Sequence, residues 1–135
     1  MNKILVDTDV LSAYFGRNKH LNSRYSEAVE ELFAEKDALA ISGHVFQEIL
    51  YGIKTGQVGT YRKIKGKLSG LFIAPSKKEF ELAVKISRKC TTNGIQLSIA
   101  DLINCALSVS RGWSILAIDG DYVKAKQHES RIKLL

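Results

Sequence analysis

Apolar residues in this chain alternate between short unbroken runs and longer stripes at helical spacing. Ile4-Leu5-Val6 is an unbroken β-branched and aliphatic run, and its lack of alternation predicts a strand buried on both faces of a parallel sheet. A short helix is expected through Val10, Leu11, Ala13 and Tyr14, until Gly16 and Asn18 mark a loop. Tyr25, Ala28, Val29, Leu32 and Phe33 then recur at helical spacing while Glu27, Glu30, Glu31 and Glu35 take the other faces, the pattern of an amphipathic helix. Leu39-Ala40-Ile41 reads as a second strand. Ser42 is placed to cap a helix carrying Val45, Phe46, Ile49 and Leu50, which ends at Gly52.

The alternation continues downstream. A basic helix is predicted between Thr60 and Leu68, followed by a weak strand at Leu71-Phe72-Ile73. Ser76-Lys77-Lys78-Glu79 is a capping box that opens a helix with Phe80, Ala83 and Val84, broken at Asn93-Gly94. Ser98-Ile99-Ala100-Asp101 is a second box of the same type, opening a helix with Leu102, Ile103, Ala106, Leu107 and Val109 that stops at Arg111-Gly112. A buried strand from Ser114 to Ile118, a short helix from Tyr122 to Gln127 and a last strand from Ile132 to Leu134 complete the order. Strands alternating with helices imply βαβ units, a central parallel sheet and helices on both faces, which is an α/β architecture. Ligands in such sheets bind beyond the carboxyl ends of the strands.

Length and composition fit one domain spanning 1–135: 135 residues, 45% hydrophobic, 25% charged and a single proline, Pro75. No apolar run approaches the roughly 20 residues of a membrane span, and the N-terminus lacks the pattern of a signal peptide, so a cytoplasmic protein without a membrane partner is expected. Cys90 and Cys105 share no metal-binding spacing, and His20, His44 and His128 are scattered, which argues against zinc.

The formal net charge of +6 is unevenly spread. Residues 1–53 carry 5 Lys/Arg against 8 Asp/Glu, residues 54–89 carry 10 against 2, and residues 90–135 carry 5 against 4. The middle block holds Lys54, Arg62, Lys63, Lys65 and Lys67, with Tyr51 and Tyr61 among them. Cations interleaved with aromatics suit a phosphate backbone and its bases, although a solvated basic helix has the same composition.

The acids sharpen the picture. Asp7 follows the first strand and Asp119 follows the strand from Ser114, so both belong to the carboxyl edge, while Glu48 rides on the helix that leaves the second strand. Asp101 lies in the first turn of its helix, where it is either a site carboxylate or the acceptor of a capping box. Asp9 and Asp121 each stand two residues beyond a strand-end acid. Carboxylates about 4 Å apart repel by up to about 4 kcal/mol at an effective dielectric near 20, so a cluster of four needs a neutralising cation. Hard oxygen ligands select Mg²⁺ or Mn²⁺, and a water activated on such an ion can attack a phosphodiester without any Ser, Cys or His nucleophile.

Ile4-Leu5-Val6-Asp7-Thr8-Asp9-Val10-Leu11, Gln47-Glu48-Ile49-Leu50-Tyr51-Gly52, Ser98-Ile99-Ala100-Asp101-Leu102-Ile103 and Ala117-Ile118-Asp119-Gly120-Asp121-Tyr122 resemble, in order, the four acidic motifs of PIN-domain ribonucleases, VapC-type toxins in particular. The resemblance covers nearly the whole chain. It implies a three-layer PIN-like sandwich and a Mg²⁺- or Mn²⁺-dependent endoribonuclease that hydrolyses RNA, often transfer RNA. It further implies a homodimer and a small antitoxin that blocks the site. On this resemblance Asp7, Glu48, Asp101 and Asp119 are the metal-binding acids, Thr8 hydrogen-bonds in the site, and Asp9 and Asp121 are additional candidate ligands. Arg62, Lys63, Lys65 and Lys67 are the RNA-binding candidates read from the charge pattern. The sequence departs from the family at Asp9, where Asn is common, at Ala117, where Thr is frequent, and at Tyr122, where Phe is usual.

Two other readings use the same residues. Asp7-Thr8-Asp9 matches the D-x-D motif of haloacid-dehalogenase-like phosphatases, but Leu11 is atypical there and Glu48 and Asp101 have no role. A non-catalytic module that binds RNA or a partner would not need all four acids. A receiver-like domain would need a phosphoacceptor Asp at the end of a middle strand, which this chain lacks.

Overall fold

The computed structural model describes residues 2–16, 23–35 and 38–135. Asn18, expected in the loop after the first helix, and His20 lie outside the described residues, as do the side chains of Tyr25 and Ala28. In chain order the elements are β1 (Ile4–Val6), α1 (Thr8–Tyr14), α2 (Ser23–Ala34), β2 (Leu39–Ser42), α3 (Gly43–Tyr51) and α4 (Val58–Ser69). They continue with β3 (Phe72–Ile73), α5 (Lys77–Thr92), α6 (Ile99–Arg111), β4 (Ser114–Leu116), α7 (Asp121–His128) and β5 (Lys133–Leu134). Among the described residues no helix is long and apolar enough to cross a membrane.

The five strands form one sheet in the order β3-β2-β1-β4-β5, and every pairing is parallel. Leu5, Ala40 and Ile115 face one side and pack with Ala83 and Ile86 of α5, Ile103 and Leu107 of α6, and Ala125 of α7. Val6, Leu39, Ile41 and Leu116 face the other side, with residues of α1 to α4 such as Leu11, Val29, Ile49 and Leu68. Neighbouring strand residues alternate between the two cores because successive side chains point to opposite faces. The unbroken apolar runs therefore supply both cores, at about 2 kcal/mol per fully buried Ile or Leu. The result is an α/β/α sandwich.

Local signals set the helix starts. Ser42 Oγ accepts from the Val45 N–H, and Ser76 with Glu79 forms a complete capping box. Glu79 also receives Arg111 at 2.8 Å, which ties the start of α5 to the end of α6 and holds the Glu79 carboxyl down to about 2. Gly112 closes α6 at φ 71°, a left-handed conformation that a side chain would strain.

Several boundaries differ from expectation by one to two residues. Leu71 and Ile132 fall outside their short edge strands, and α4 starts at Val58, before Thr60. β4 stops at Leu116, two residues short of Ile118. There the Asp9 carboxylate takes the N–H groups of Ile118 and Asp119, at 3.1 and 2.9 Å, in place of a strand partner.

Candidate active site

From β1 the chain moves outward to β2 and β3 on one side, then returns to place β4 and β5 on the other. The order reverses between β1 and β4, and in open parallel sheets the crevice beyond the carboxyl ends of two such strands is where ligands bind. Asp7 leaves β1 there, its N–H bonded to the Leu116 carbonyl of β4 at 3.0 Å. Asp119 lies three residues past the end of β4. Helix α6 enters β4 at the amino edge of the sheet, so over its 13 residues, roughly 20 Å, it runs back and brings its first turn to the same crevice. That turn carries Asp101, and the next carries Asn104.

Asp101, Asp119 and Asp121 offer carboxylate oxygens that all lie within 4.8 Å of one another. Asp121 begins α7, and its N–H donates to Asp119 Oδ1 at 3.0 Å. Asp101 is held from the core side. The Tyr122 hydroxyl donates to Asp101 Oδ1 at 2.9 Å and accepts from Asn104 Nδ2 at 3.0 Å. Asn104 Nδ2 also approaches Asp7 Oδ1 at 3.4 Å. One buried Asn–Tyr pair therefore joins the strand-end acid to the acid trio.

The capping reading of Asp101 is only half realised. Ser98 Oγ accepts the Asp101 N–H at 3.1 Å, but no return bond runs from the Asp101 carboxylate to the Ser98 N–H, in contrast to the reciprocal pair at Ser76 and Glu79. The carboxylate is turned instead to Tyr122.

Asp7 is only 7% exposed, and burial pushes its carboxyl up to about 7 against the opposing Thr8 N–H bond, with Asp9 and Asp101 adding to the rise. Asp101 is raised for the same first reason, then by Asp119 and Asp121, while bonds from Tyr122 and Ser98 restrain it. Tyr122 is driven up by burial and by the two carboxylates, so its hydroxyl stays a donor. Two buried oxygens nearby have no partner: Thr8 Oγ1 and Asn104 Oδ1. Buried polar atoms are nearly always satisfied, and an orphan pair flanking a carboxylate points to something that binds there. An oxygen-only donor set, excess negative charge and unpartnered oxygens together fit a hard divalent cation with its waters.

The other sequence candidates are placed differently. Glu48 is exposed on α3, and its side chain makes no hydrogen bond or ion pair among the described residues. Asp9 acts as a brace: Oδ1 accepts the Val10 N–H at 2.7 Å and Oδ2 holds the loop after β4. Arg62, Lys63, Lys65 and Lys67 are all exposed on α4, but they divide between two sides. Lys63 and Lys67 share a groove with Tyr14 and Glu30, whereas Lys65 sits over the Tyr61 ring, 6.0 Å from its centre, on the side toward α3. Sequence reasoning did not single out Asn104, whose only signal is a carboxamide inside an apolar stripe.

The PIN domain family model matches residues 4–127. The chain belongs to the PIN domain family. Among curated proteins, none matches this PIN domain significantly. Solved structures with the same fold include VapBC2 from Rickettsia felis bound to a DNA fragment from its promoter, with a TM-score of 0.75 and 18% identity over 98% of this chain and 96% of that one. FitAcB from Neisseria gonorrhoeae follows at TM-score 0.73 and 15% identity, covering 98% and 96% of the two chains. DNA-bound VapBC from Salmonella typhimurium matches at TM-score 0.72 and 15% identity over 100% and 98%. The three-layer sandwich with its parallel five-stranded sheet is thus the PIN fold.

Proposed function

We propose that this PIN domain is a divalent-metal-dependent endoribonuclease and the toxin of a toxin–antitoxin pair acting in the cytoplasm. The observation that carries the reading is the convergence of Asp7, Asp101, Asp119 and Asp121 on the crevice between β1 and β4, beside the unpartnered oxygens of Thr8 and Asn104. The likeness in fold to the VapBC and FitAB proteins supports the toxin assignment.

In this reading Asp101, Asp119 and Asp121, with Asp7, would hold Mg²⁺ or Mn²⁺, and Glu48 is the further metal-binding acid that the family resemblance assigns. The chemistry such an ion would supply when bound is an acidified water and an offset to negative charge on a phosphodiester. The rest falls to the protein. Tyr122 and Asn104 fix the carboxylates of Asp101 and Asp7, Asp9 fixes the loop that carries Asp119, and Thr8 and Asn104 offer oxygens to bound water. Arg62, Lys63, Lys65 and Lys67 bind phosphates of the RNA, transfer RNA included. Water adds across a P–O ester bond, leaving one hydroxyl end and one phosphate end.

An antitoxin protein covers the acidic crevice, and a homodimer forms through the apolar α5–α6 face, where Phe80, Val84 and Ile99 are exposed. The phosphatase alternative requires Asp9 to serve as a general acid, yet both of its oxygens are occupied as acceptors of backbone N–H groups. The deciding experiment incubates the purified protein with total RNA, with Mn²⁺ and with excess EDTA, and maps new ends. Cleavage that needs Mn²⁺ is expected; undiminished cleavage in chelator overturns the metal mechanism, and no cleavage in either overturns the nuclease.

A further inference from the structure

The faces of α3 and α4 that look toward each other leave a groove lined by Phe46, Gln47, Leu50, Tyr51 and Tyr61. Tyr51 is 89% exposed, an extreme position for a ring of its size. It follows Glu48 by three residues on α3, so the two side chains sit on one side of the helix. Phe46 forms a fixed wall, its ring edge-on to Phe72 with centres 5.4 Å apart. On the opposite wall Tyr61 carries Lys65 above its ring. Among the described residues no acidic side chain lines this groove, unlike the neighbouring one, where Glu30 accepts a hydrogen bond from the Tyr14 hydroxyl at 2.7 Å.

We propose that the α3–α4 groove is a nucleobase subsite, in which an unpaired base of an RNA strand stacks on Tyr51 and Tyr61 while Lys65 takes an adjoining phosphate. The proposal rests on the nuclease reading and adds to it where a base is held. Three features select this occupant. Flat exposed rings present a π-face that every base can use, a cation beside them matches the phosphate a base brings with it, and the Gln47 amide offers a donor and an acceptor to a base edge. Paired bases in a duplex cannot enter, so the subsite selects single-stranded or looped RNA.

The test measures binding of short labelled single-stranded RNA, a duplex of the same sequence and an abasic strand, in EDTA to prevent cleavage, at several salt concentrations. Tyr51→Ala is expected to weaken single-stranded binding about tenfold, the loss of one base stack of about 1.4 kcal/mol, with the slope against salt unchanged. Tyr51→Phe should restore affinity, and duplex and abasic strands should bind the Ala variant and wild type alike. Lys65→Gln should instead lower the salt slope. Tyr51→Trp adds a direct readout, since the introduced indole should be quenched by single-stranded RNA. With Mn²⁺, Tyr51→Ala should raise KM with kcat retained.

If wild type binds and cleaves RNA but Tyr51→Ala and Tyr61→Ala keep full single-stranded affinity, the subsite is overturned and the nuclease stands. If wild type neither binds nor cleaves RNA, both fall. If Tyr51→Ala leaves RNA binding intact and instead disrupts self-association in gel filtration, the groove is a protein interface and the proposal is overturned.

Discussion

Replacing Asp7 by Asn tests the electrostatics of the crevice without changing its shape. Asp7 ionises near 3.8 when unfolded and near 7 in the folded chain, because burial in the cleft disfavours its charge. The native state thus keeps the proton to higher pH than the unfolded state does. Its stability is unaffected by this group below pH 3.8, falls by about 1.4 kcal/mol per pH unit through the window, and is lower by about 4 kcal/mol above pH 7. Asn keeps the oxygen that accepts the Thr8 N–H and carries no charge to desolvate. Relative to wild type, the metal-free variant should therefore gain about 3 kcal/mol more at pH 8 than at pH 5, or roughly 10 °C in melting temperature. The assay is urea or thermal unfolding of both proteins in EDTA at the two pH values; the difference between proteins cancels all other titrating groups. A variant advantage that does not grow with pH would show that Asp7 ionises as an ordinary carboxylate and would refute the account of a strained, uncompensated acid.

The remaining expectations concern metal and RNA. Asp101→Asn should abolish RNA cleavage while the metal-free protein melts at the same or a higher temperature, and it should gain less stability from Mn²⁺ than wild type; an active variant with a lowered melting temperature would return Asp101 to a capping role. Tyr122→Phe removes the donor to Asp101 and the acceptor for Asn104, so it should cost about 1 kcal/mol of stability and weaken Mn²⁺ binding roughly tenfold by calorimetry; unchanged metal affinity would make Tyr122 a packing residue only. Neutralising Arg62, Lys63, Lys65 and Lys67 together should flatten the salt dependence of RNA binding, and an unchanged slope would move the RNA surface elsewhere.

What could be read from the sequence is what depends on neighbours in sequence. Ser42 and Ser76 announce their helices because a cap is satisfied within three residues, and the runs at β1, β2 and β4 announce a doubly covered sheet because burial on both faces leaves no polar position. The order of strands was not legible, since nothing in Ile4-Leu5-Val6 says which strands flank it. The end of β4 was missed because its cause is remote: Asp9, more than a hundred residues earlier, takes the N–H groups that a longer strand would have used. Asn104 was missed for a related reason. Its carboxamide matters only because α6 runs back over the sheet to meet Asp7 and Tyr122, a meeting that helical periodicity cannot express. Asp101 was ambiguous in sequence because a capping acid and a site acid occupy the same first turn; the turn of its carboxylate toward Tyr122 separates the two.

The central position of β1 also bears on how the molecule comes into being. One of its two partner strands, β4, and the tyrosine that braces Asp101 are synthesised more than a hundred residues after it. At about 5–20 residues per second a ribosome leaves Asp7 waiting for many seconds before the acids can meet, and pairings this distant in sequence also form slowly. In a nascent chain the acidic crevice is therefore incomplete until Tyr122 has emerged. On the toxin–antitoxin reading proposed above, that interval is when an antitoxin made beforehand can be waiting for the crevice to close.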